Sequence, residues 1–220
     1  FAIMNPEITY TLPDYQTQCG CADIMMHTME RYFVLEDTME ITDKIAQDVM
    51  KNVMKYAKIL KKDPENYEAR AEIMWCGSLS HNGLTGCGTC GGDWATHLIE
   101  HELGGMFDVA HGAGLAAVWG SWARYVMDEK PERFAQFAVD VMGVEESDDV
   151  KSTALKGIEA VEEFYRMIEM PTNMKELGIN PTDEQIKDMA MKATNHDTQQ
   201  LGAFKKLSAK DLVEIYKTAK

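Results

Sequence analysis

Long apolar runs and a secretion signal are both absent from this chain. No run of about 18 apolar residues occurs, so the sequence predicts no membrane-spanning helix. Residues 1–10 lack the basic and apolar regions of a signal peptide. Cysteine is also scarce, since five cysteines in 220 residues are far below the density of a disulfide scaffold. Their odd number also means that they cannot all pair within the chain. These absences predict a reducing, cytoplasmic setting.

Basic residues are few, with 22 Lys and Arg against 36 Asp and Glu, which leaves a net charge of -14. Nucleic acids and anionic membranes are polyanions, so this acidic balance argues against both as partners. A length of 220 residues suits one domain or two small ones and is sufficient to bury a full core.

Strand patterns are absent after residue 13, and apolar residues there recur mostly at helical spacing. We therefore expect an all-α fold of about eight to ten helices. The sequence places helices at 14–35, 42–60, 64–80, 93–103, 131–142 and 147–169, and another that begins after His111 and runs to residue 127. Two more helices are expected to follow capping boxes, formed by Thr182 with Gln185 and by Ser208 with Asp211. The opening segment, 1–13, is interpreted as a short strand followed by turns at Asn5-Pro6 and Pro13, and the partners of that strand would lie in sequence outside this chain.

Two segments bring together residues that bind transition metals. Asp23 and His27 are four residues apart on a predicted helix, which places them on one face, about 6 Å apart along the axis. His97 and His101 have the same spacing, and His111 follows after a Gly-Gly pair. One carboxylate and several imidazoles suit a divalent transition metal. The spacing alone leaves open whether His97 or His101 is the ligand.

Two other interpretations of these residues remain open. His97, Glu100 and His101 form the H-x-x-E-H pattern of inverted-zincin metallohydrolases, in which both histidines bind zinc and the glutamate is the base. Glu162 or Glu163 could complete such a site, although Asp23 would then have no role. A purely structural metal-binding helical domain is the other alternative, and it would have a closed coordination shell.

The glycine-rich segment 86–91 matches G-x-G-x-x-G but follows a predicted helix, not a strand, so it is not interpreted as a dinucleotide fingerprint. Cys87 and Cys90 within it form a single C-x-x-C, which we interpret as loop cysteines without a chemical role. The other three cysteines, Cys19, Cys21 and Cys76, are predicted to be small buried apolar side chains.

Several separated motifs carry a family resemblance. They are N-P-E-I-T-Y-T-L-P near the start, G-x-x-D-x-x-x-H-x-x-E-R-Y-F at 20–33, G-D-W-A-T-H-x-I-E-H-E-L at 92–103, H-G-A-G-L-A at 111–116 and G-A-F-K-K-L near the end. On these motifs the chain resembles the helical metal-binding domain of the iron-containing (group III) alcohol dehydrogenases. The resemblance is to the branch of butanol dehydrogenases and NAD(P)H-dependent aldehyde reductases, and it extends over almost the whole chain.

The resemblance implies a set of site residues. A divalent metal would be held by Asp23, His27, His97 and His111. His101 would lie near the nicotinamide, where it contacts the cofactor and helps to move a proton. The metal would be Fe2+ in the first place, with Zn2+ or Ni2+ as alternatives, and NAD(P)H would be the second cofactor.

The resemblance also implies an architecture and a reaction. The fold would be that of the dehydroquinate synthase-like and iron-containing alcohol dehydrogenases, with residues 14–220 as the catalytic helical domain. Residues 1–13 would be the junction from an N-terminal Rossmann-like nucleotide-binding domain, without which the chain is expected to be inactive. The reaction would be reversible hydride transfer between a small primary alcohol or aldehyde and NAD(P)(H), with the metal as Lewis acid, in a homodimer.

Overall fold

The computed structural model describes residues 1–36 and 40–220. Within these residues the fold is all-helical, as predicted, and the only β pairing there is an isolated bridge between Leu201 and Leu207. The α-helices are α1 (Asp14–Tyr32), α2 (Glu40–Leu60), α3 (Tyr67–His81), α4 (Ala95–Phe107), α5 (His111–Val126), α6 (Pro131–Asp140), α7 (Val150–Met167), α8 (Asp183–Ala193) and α9 (Ala209–Ala219). Short 3-10 helices cover Pro6–Thr9, Leu84–Gly86 and Met127–Glu129. Across the described ranges, no helix combines the length and apolar character needed to span a bilayer.

Helix α1 lies in the middle of the fold and packs against α2, α3 and α5. The core beside its C-terminal end is aromatic. Phe33 stacks on Phe134 with ring centroids 4.3 Å apart, and Trp119 and Trp122 of α5 are fully buried next to them. Burying each such side chain stabilises the fold by about 1.5–3 kcal/mol. This packing holds α1 and α5 together, and both helices carry residues of the predicted site.

The turn predicted at Asn5-Pro6 is present as a 3-10 helix over Pro6–Thr9. The short strand predicted before it, which would need partner strands from outside this chain, is not formed among residues 1–5. The Asn5 side chain accepts a hydrogen bond from the backbone N–H of Glu7 at 3.1 Å, which is an N-cap. Pro6 occupies the first helical position, where its fixed φ favours a helical turn. The cap and the proline therefore outweigh the β propensity of the surrounding residues.

Helix α3 begins later than the sequence predicts. Pro64 lies in a turn, and the helix starts at Tyr67 behind Asn66, whose Oδ1 accepts from the Ala69 N–H at 3.0 Å. The carbonyl of Pro64 accepts from Nε of Arg70 at 2.7 Å, which ties the turn to the first turn of the helix. The asparagine, and not the Asp-Pro pair, is the helix cap.

Helix α4 does not end at Gly104 and Gly105 as predicted but continues through both to Phe107. A Cβ built on Gly104 would lie 2.9 Å from Oε1 of Glu100. The glycine thus leaves room for a buried carboxylate one turn earlier. The helix ends at Asp108, which adopts the left-handed conformation with φ 53°.

Other helix bounds differ from the prediction by up to three residues: α1 ends at Tyr32 instead of residue 35, and α7 spans Val150–Met167 instead of 147–169. The predictions for the capping boxes and the cysteines are confirmed. Both capping boxes are present, Thr182 with Gln185 at the start of α8 and Ser208 with Asp211 at the start of α9. The cysteines also divide as expected. Cys19, Cys21 and Cys76 are buried, while Cys87 and Cys90 are exposed in the loop between α3 and α4.

Candidate metal centre

Three helices bring the predicted ligands to one point. Asp23 and His27 lie on α1, His97 on α4, and His111 is the first residue of α5. The Asp23 Oδ1 atom is 3.7 Å from Nε2 of His27, 3.4 Å from Nε2 of His97 and 3.5 Å from Nε2 of His111. Three imidazole nitrogens therefore surround one carboxylate oxygen.

The distances from Asp23 Oδ1 are compatible with a shared metal ion. Donor atoms of Asp23, His27 and His97 lie within 4.8 Å of one another, whereas His111 falls by the same measure in a group with Glu100 and His101. Ligand atoms that bind one metal at 2.0–2.1 Å with tetrahedral geometry lie about 3.4 Å from each other. Asp23 Oδ1 and His97 Nε2 are also buried without a hydrogen-bond partner in the described residues. An unsatisfied buried polar atom lowers the free energy of unfolding by about 1–3 kcal/mol. A group that binds to both atoms would remove this destabilisation. The donor set of one carboxylate and three imidazoles suits a divalent transition metal.

Two buried glutamates stand behind the histidines. Nδ1–H of His97 donates to Oε2 of Glu30 at 2.5 Å, and its backbone N–H donates to Oε1 at 3.2 Å. His111 Nδ1–H donates to Glu100 in the same way. An ionised carboxylate only accepts hydrogen bonds, so Nδ1 carries a proton in both rings and Nε2 is the atom that faces Asp23.

Neither glutamate is predicted from the sequence as a partner of a histidine. Glu30 follows the apolar residues Met25, Met26 and Met29, and it is 1% exposed. A glutamate on such an apolar helix cannot stay buried without a partner. That is the one signal in the sequence that could have identified it, and it would not have named His97.

His27 has a different environment. Its Nδ1 lies 3.4 Å from the Arg31 guanidinium, and in the described part of the chain no hydrogen bond joins this nitrogen to a carboxylate. Its ring lies against that of His81, with centroids 3.8 Å apart, and against the ring of His97 at 4.5 Å. The edge of Trp94 contacts it from a third side at 5.3 Å. Ring packing, and not a hydrogen bond to a carboxylate, sets the orientation of this histidine.

The charges of the site shift its pKa values in opposite directions. Burial lowers the pKa of His27 to about 4, and Asp23 only partly offsets this effect. The pKa of His97 is raised to about 9, because attraction to its two carboxylate neighbours outweighs burial. The hydrogen bond with Glu100 raises the pKa of His111. Burial acts to raise the pKa of Asp23, but the imidazoles outweigh it and the pKa is lowered. A metal that binds at Nε2 of His97 would compete with a proton there.

His101 lies to one side of this group. It is exposed, and its ring centroid is 5.5 Å from that of His111 and 6.2 Å from that of His97. Donor atoms of Glu100, His101 and His111 come within 4.8 Å of one another. Among the described ion pairs, however, Asp23 faces His97 and not His101. The fold thus separates two histidines that the spacing alone could not distinguish.

A cleft of about 340 Å³ opens beside the group. It is bordered by Asp23 and His111, with Gln16 and Cys19 of α1 and Gly112 of α5 around it. A small molecule could therefore approach the carboxylate and one imidazole from the surface. An open side of this kind is not expected for a purely structural metal site.

The contacts of the glutamates argue against the metallohydrolase alternative. Glu100, the base in that arrangement, instead accepts a hydrogen bond from Nδ1–H of His111. Glu162 forms an ion pair with Arg124, with Oε2 3.0 Å from Nη2. Both glutamates therefore have partners that the hydrolase arrangement would not give them.

His81, for which the sequence predicts no role, also reaches the site. As the last residue of α3, it places Nε2 3.4 Å from Oδ2 of Asp23. Both oxygens of Asp23 thus face imidazole nitrogens. Neither helical spacing nor a motif connects His81 to α1, so only the packing of α3 against α1 reveals the contact.

Comparison with known proteins identifies the family. A sequence model described as "Fe-containing alcohol dehydrogenase family, C-terminal" matches residues 17–220. The chain belongs to this family. The family description names iron, and the donor set at Asp23, one carboxylate and three imidazoles, is chemically suited to such a metal.

Individual relatives in this family agree. The chain is 33% identical over 218 residues to NADH-dependent butanol dehydrogenase A of Clostridium acetobutylicum, which covers 99% of this chain and 55% of that protein. It is 32% identical to the NADPH-dependent aldehyde reductase YqhD of Escherichia coli, over 100% of this chain and 56% of that protein. The chain thus spans about half the length of the curated relatives it matches.

Solved structures of the family share the fold. The crystal structure of Escherichia coli YqhD superposes with a TM-score of 0.93 at 30% identity, over 100% of this chain and 55% of that one. The NADH-dependent butanol dehydrogenase A of Thermotoga maritima gives a TM-score of 0.89 at 34% identity, over 97% of this chain and 54% of that one.

Proposed function

We propose that this chain is the metal-binding catalytic part of an enzyme that transfers a hydride between NAD(P)(H) and a small primary alcohol or aldehyde. The observation that carries the proposal is the arrangement of three imidazole Nε2 atoms 3.4–3.7 Å from Oδ1 of Asp23. The names of the relatives, butanol dehydrogenase and aldehyde reductase, support the substrate class. The names NADH-dependent and NADPH-dependent support a nicotinamide cofactor without choosing between the two forms.

In this proposal Asp23, His27, His97 and His111 hold the metal. Fe2+ is the proposed ion, with Zn2+ or Ni2+ as alternatives that the same donors accept. When bound, a divalent ion supplies Lewis acidity, which makes a substrate hydroxyl more acidic. The cleft beside Asp23 admits the substrate. His101, exposed next to His111, is proposed to contact the nicotinamide and to pass the hydroxyl proton to solvent.

The nucleotide site is proposed to lie mainly outside this chain, in a domain that precedes residue 14 in the whole protein. Apolar side chains exposed in segment 1–13 support a packing partner there, namely Phe1, Ile3, Ile8 and Leu12. The whole protein is further proposed to be a cytoplasmic homodimer. This chain alone is expected to bind metal but to show no dehydrogenase activity.

Metal content tests the proposal directly. Elemental analysis of the purified chain should find about one first-row metal ion per chain, as expected for one such site. Asp23→Ala, His97→Ala and His111→Ala should each abolish tight binding, because each removes a donor to the same ion. His101→Ala should retain the metal, because His101 faces His111 and not Asp23.

The result that would overturn the ligand assignment is loss of metal in His101→Ala together with its retention in His111→Ala. A chain that binds no added Fe2+ or Zn2+ would overturn the metal centre itself. For the reaction, a protein in which a nucleotide-binding domain precedes this chain should reduce butanal with NADH or NADPH. In that protein, His101→Ala should reduce turnover without removing the metal.

A further inference from the structure

Five of the six histidines of this chain gather at one site. Two of them lie outside the proposed ligand set, and one of these two forms a described ion pair with Asp23. That residue is His81, the last residue of α3. Its Nε2 is 3.4 Å from Asp23 Oδ2, a distance equal to that between His97 Nε2 and Asp23 Oδ1. Its ring lies against that of His27 with centroids 3.8 Å apart.

The backbone of α3 explains how His81 reaches this position. Gly77, one turn before His81, is the point at which α3 approaches α1. A Cβ built on this glycine would lie 3.3 Å from the side chain of Ile24, the neighbour of Asp23. A larger residue at Gly77 would press on the end of the Ile24 side chain. The close approach places His81 beside the carboxylate.

The Nδ1 side of the His81 ring has partners within its own helix. Nδ1 lies 2.9 Å from the carbonyl oxygen of Gly77 and 2.7 Å from the Ser80 hydroxyl, which is itself 3.0 Å from the same carbonyl oxygen. Nε2 is therefore the nitrogen that the ring presents to Asp23.

We propose that His81 is a fifth protein ligand of the metal centre, with Asp23 turning Oδ1 toward three imidazoles and Oδ2 toward the fourth. This inference rests on the proposed metal-binding function. The ion would then be held by helices α1, α3, α4 and α5. The side chain of His81 is 44% exposed, as that of His111 is at 42%. Both histidines thus lie on the solvent side of the site.

Cobalt is the probe that separates a ligand from a neighbour, because the visible absorption of Co2+ depends on the number and type of its ligands. Co2+ is titrated into the wild-type chain, His81→Gln, His81→Ala and His196→Gln. His196 is the matched control, since it lies in a turn after α8. His81→Gln keeps a group that can donate a hydrogen bond to Asp23 but removes the imidazole.

We expect both His81 variants to bind Co2+ at least about tenfold more weakly than wild type, the smaller of the losses known for groups that support a metal site. Both should also shift the visible bands, and X-ray absorption should count one imidazole fewer. His196→Gln should match wild type in affinity and spectrum. Retention of the wild-type spectrum in His81→Gln would overturn the proposal, because a hydrogen-bonding role for His81 would then suffice. Absence of Co2+ binding in the wild type would overturn the metal centre and this inference together.

Discussion

At the scale of single residues, the imidazoles around Asp23 differ in what lies behind them. His97 and His111 each donate Nδ1–H to a buried glutamate, Glu30 and Glu100 respectively, while His27 has only a guanidinium at that position. The glutamates hold two rings in the orientation in which Nε2 faces the carboxylate. Their negative charge also makes those nitrogens more basic, and hence better donors to a cation.

This difference predicts that the glutamates support metal binding without touching the ion. Glu30→Gln and Glu100→Gln should each weaken Zn2+ affinity by about 10–100-fold, because each keeps the side-chain shape but removes the charge behind a ligand. Glu163→Gln, at an exposed position of α7, is the matched control and should leave the affinity unchanged. Isothermal titration with Zn2+ measures the effect.

Wild-type affinity in both glutamine variants, with reduced stability, would show instead that the glutamates serve only the fold. A loss in Glu163→Gln of similar size would point to a general charge effect. The chain carries a net charge of -14, so the control is needed to separate local from overall electrostatics.

At the scale of helices, glycines set how closely the elements of the site approach. A Cβ on Gly112 would lie 2.0 Å from the carbonyl oxygen of Cys19, so α5 packs directly on the backbone of α1. A Cβ on Gly114 would lie 2.5 Å from Oε1 of Glu100. The first contact brings His111 near Asp23, and the second leaves space for the carboxylate that orients it.

Two alanine substitutions separate this packing role from helix propensity. Gly112→Ala should lower the free energy of unfolding by about 1–3 kcal/mol or more, because α5 must move away from α1. Metal affinity should fall with it. Gly105→Ala is the control on α4, where a new Cβ meets nothing within 4 Å. Alanine is favoured over glycine in a helix by about 1 kcal/mol, so Gly105→Ala should be neutral or stabilising.

Urea unfolding followed by circular dichroism gives both free energies, and metal titration gives the affinities. Equal stability of Gly112→Ala and wild type would contradict the close approach of the two backbones. A destabilised variant that keeps full metal affinity would show that His111 is positioned by other contacts.

At the scale of the whole molecule, the proposed ion would link helices that are distant in sequence. A ligand that binds only the folded state stabilises it, by about 2.7 kcal/mol when its free concentration is 100 times Kd. For a chain of this size, we expect a rise in Tm of about 5–11 °C on adding Zn2+ at that concentration. A chelator should reverse the rise, as measured by differential scanning calorimetry.

Asp23→Ala provides the comparison for the thermal measurement, since it removes the central carboxylate. Its Tm should not respond to Zn2+ at the concentration that stabilises wild type. An equal response in both proteins would place the metal elsewhere on this acidic chain.

The sequence by itself determined the helical class, most helix positions and both capping boxes, because helical periodicity and caps depend on residues only three or four positions apart. The same short-range geometry placed Asp23 with His27 and His97 with His101, and the family resemblance selected His97 and His111 as ligands. It erred where local signals compete, as at the start of α3, where Asn66 caps the helix and Pro64 lies in the turn before it.

Only the tertiary structure decided how the helices meet. It turned His97 and not His101 toward Asp23, placed Glu30 and Glu100 behind two of the histidines, and added His81 from α3. The physical reason is that contacts between helices depend on which small residues let backbones approach. Spacing along the chain carries no information about the distance between side chains on different helices.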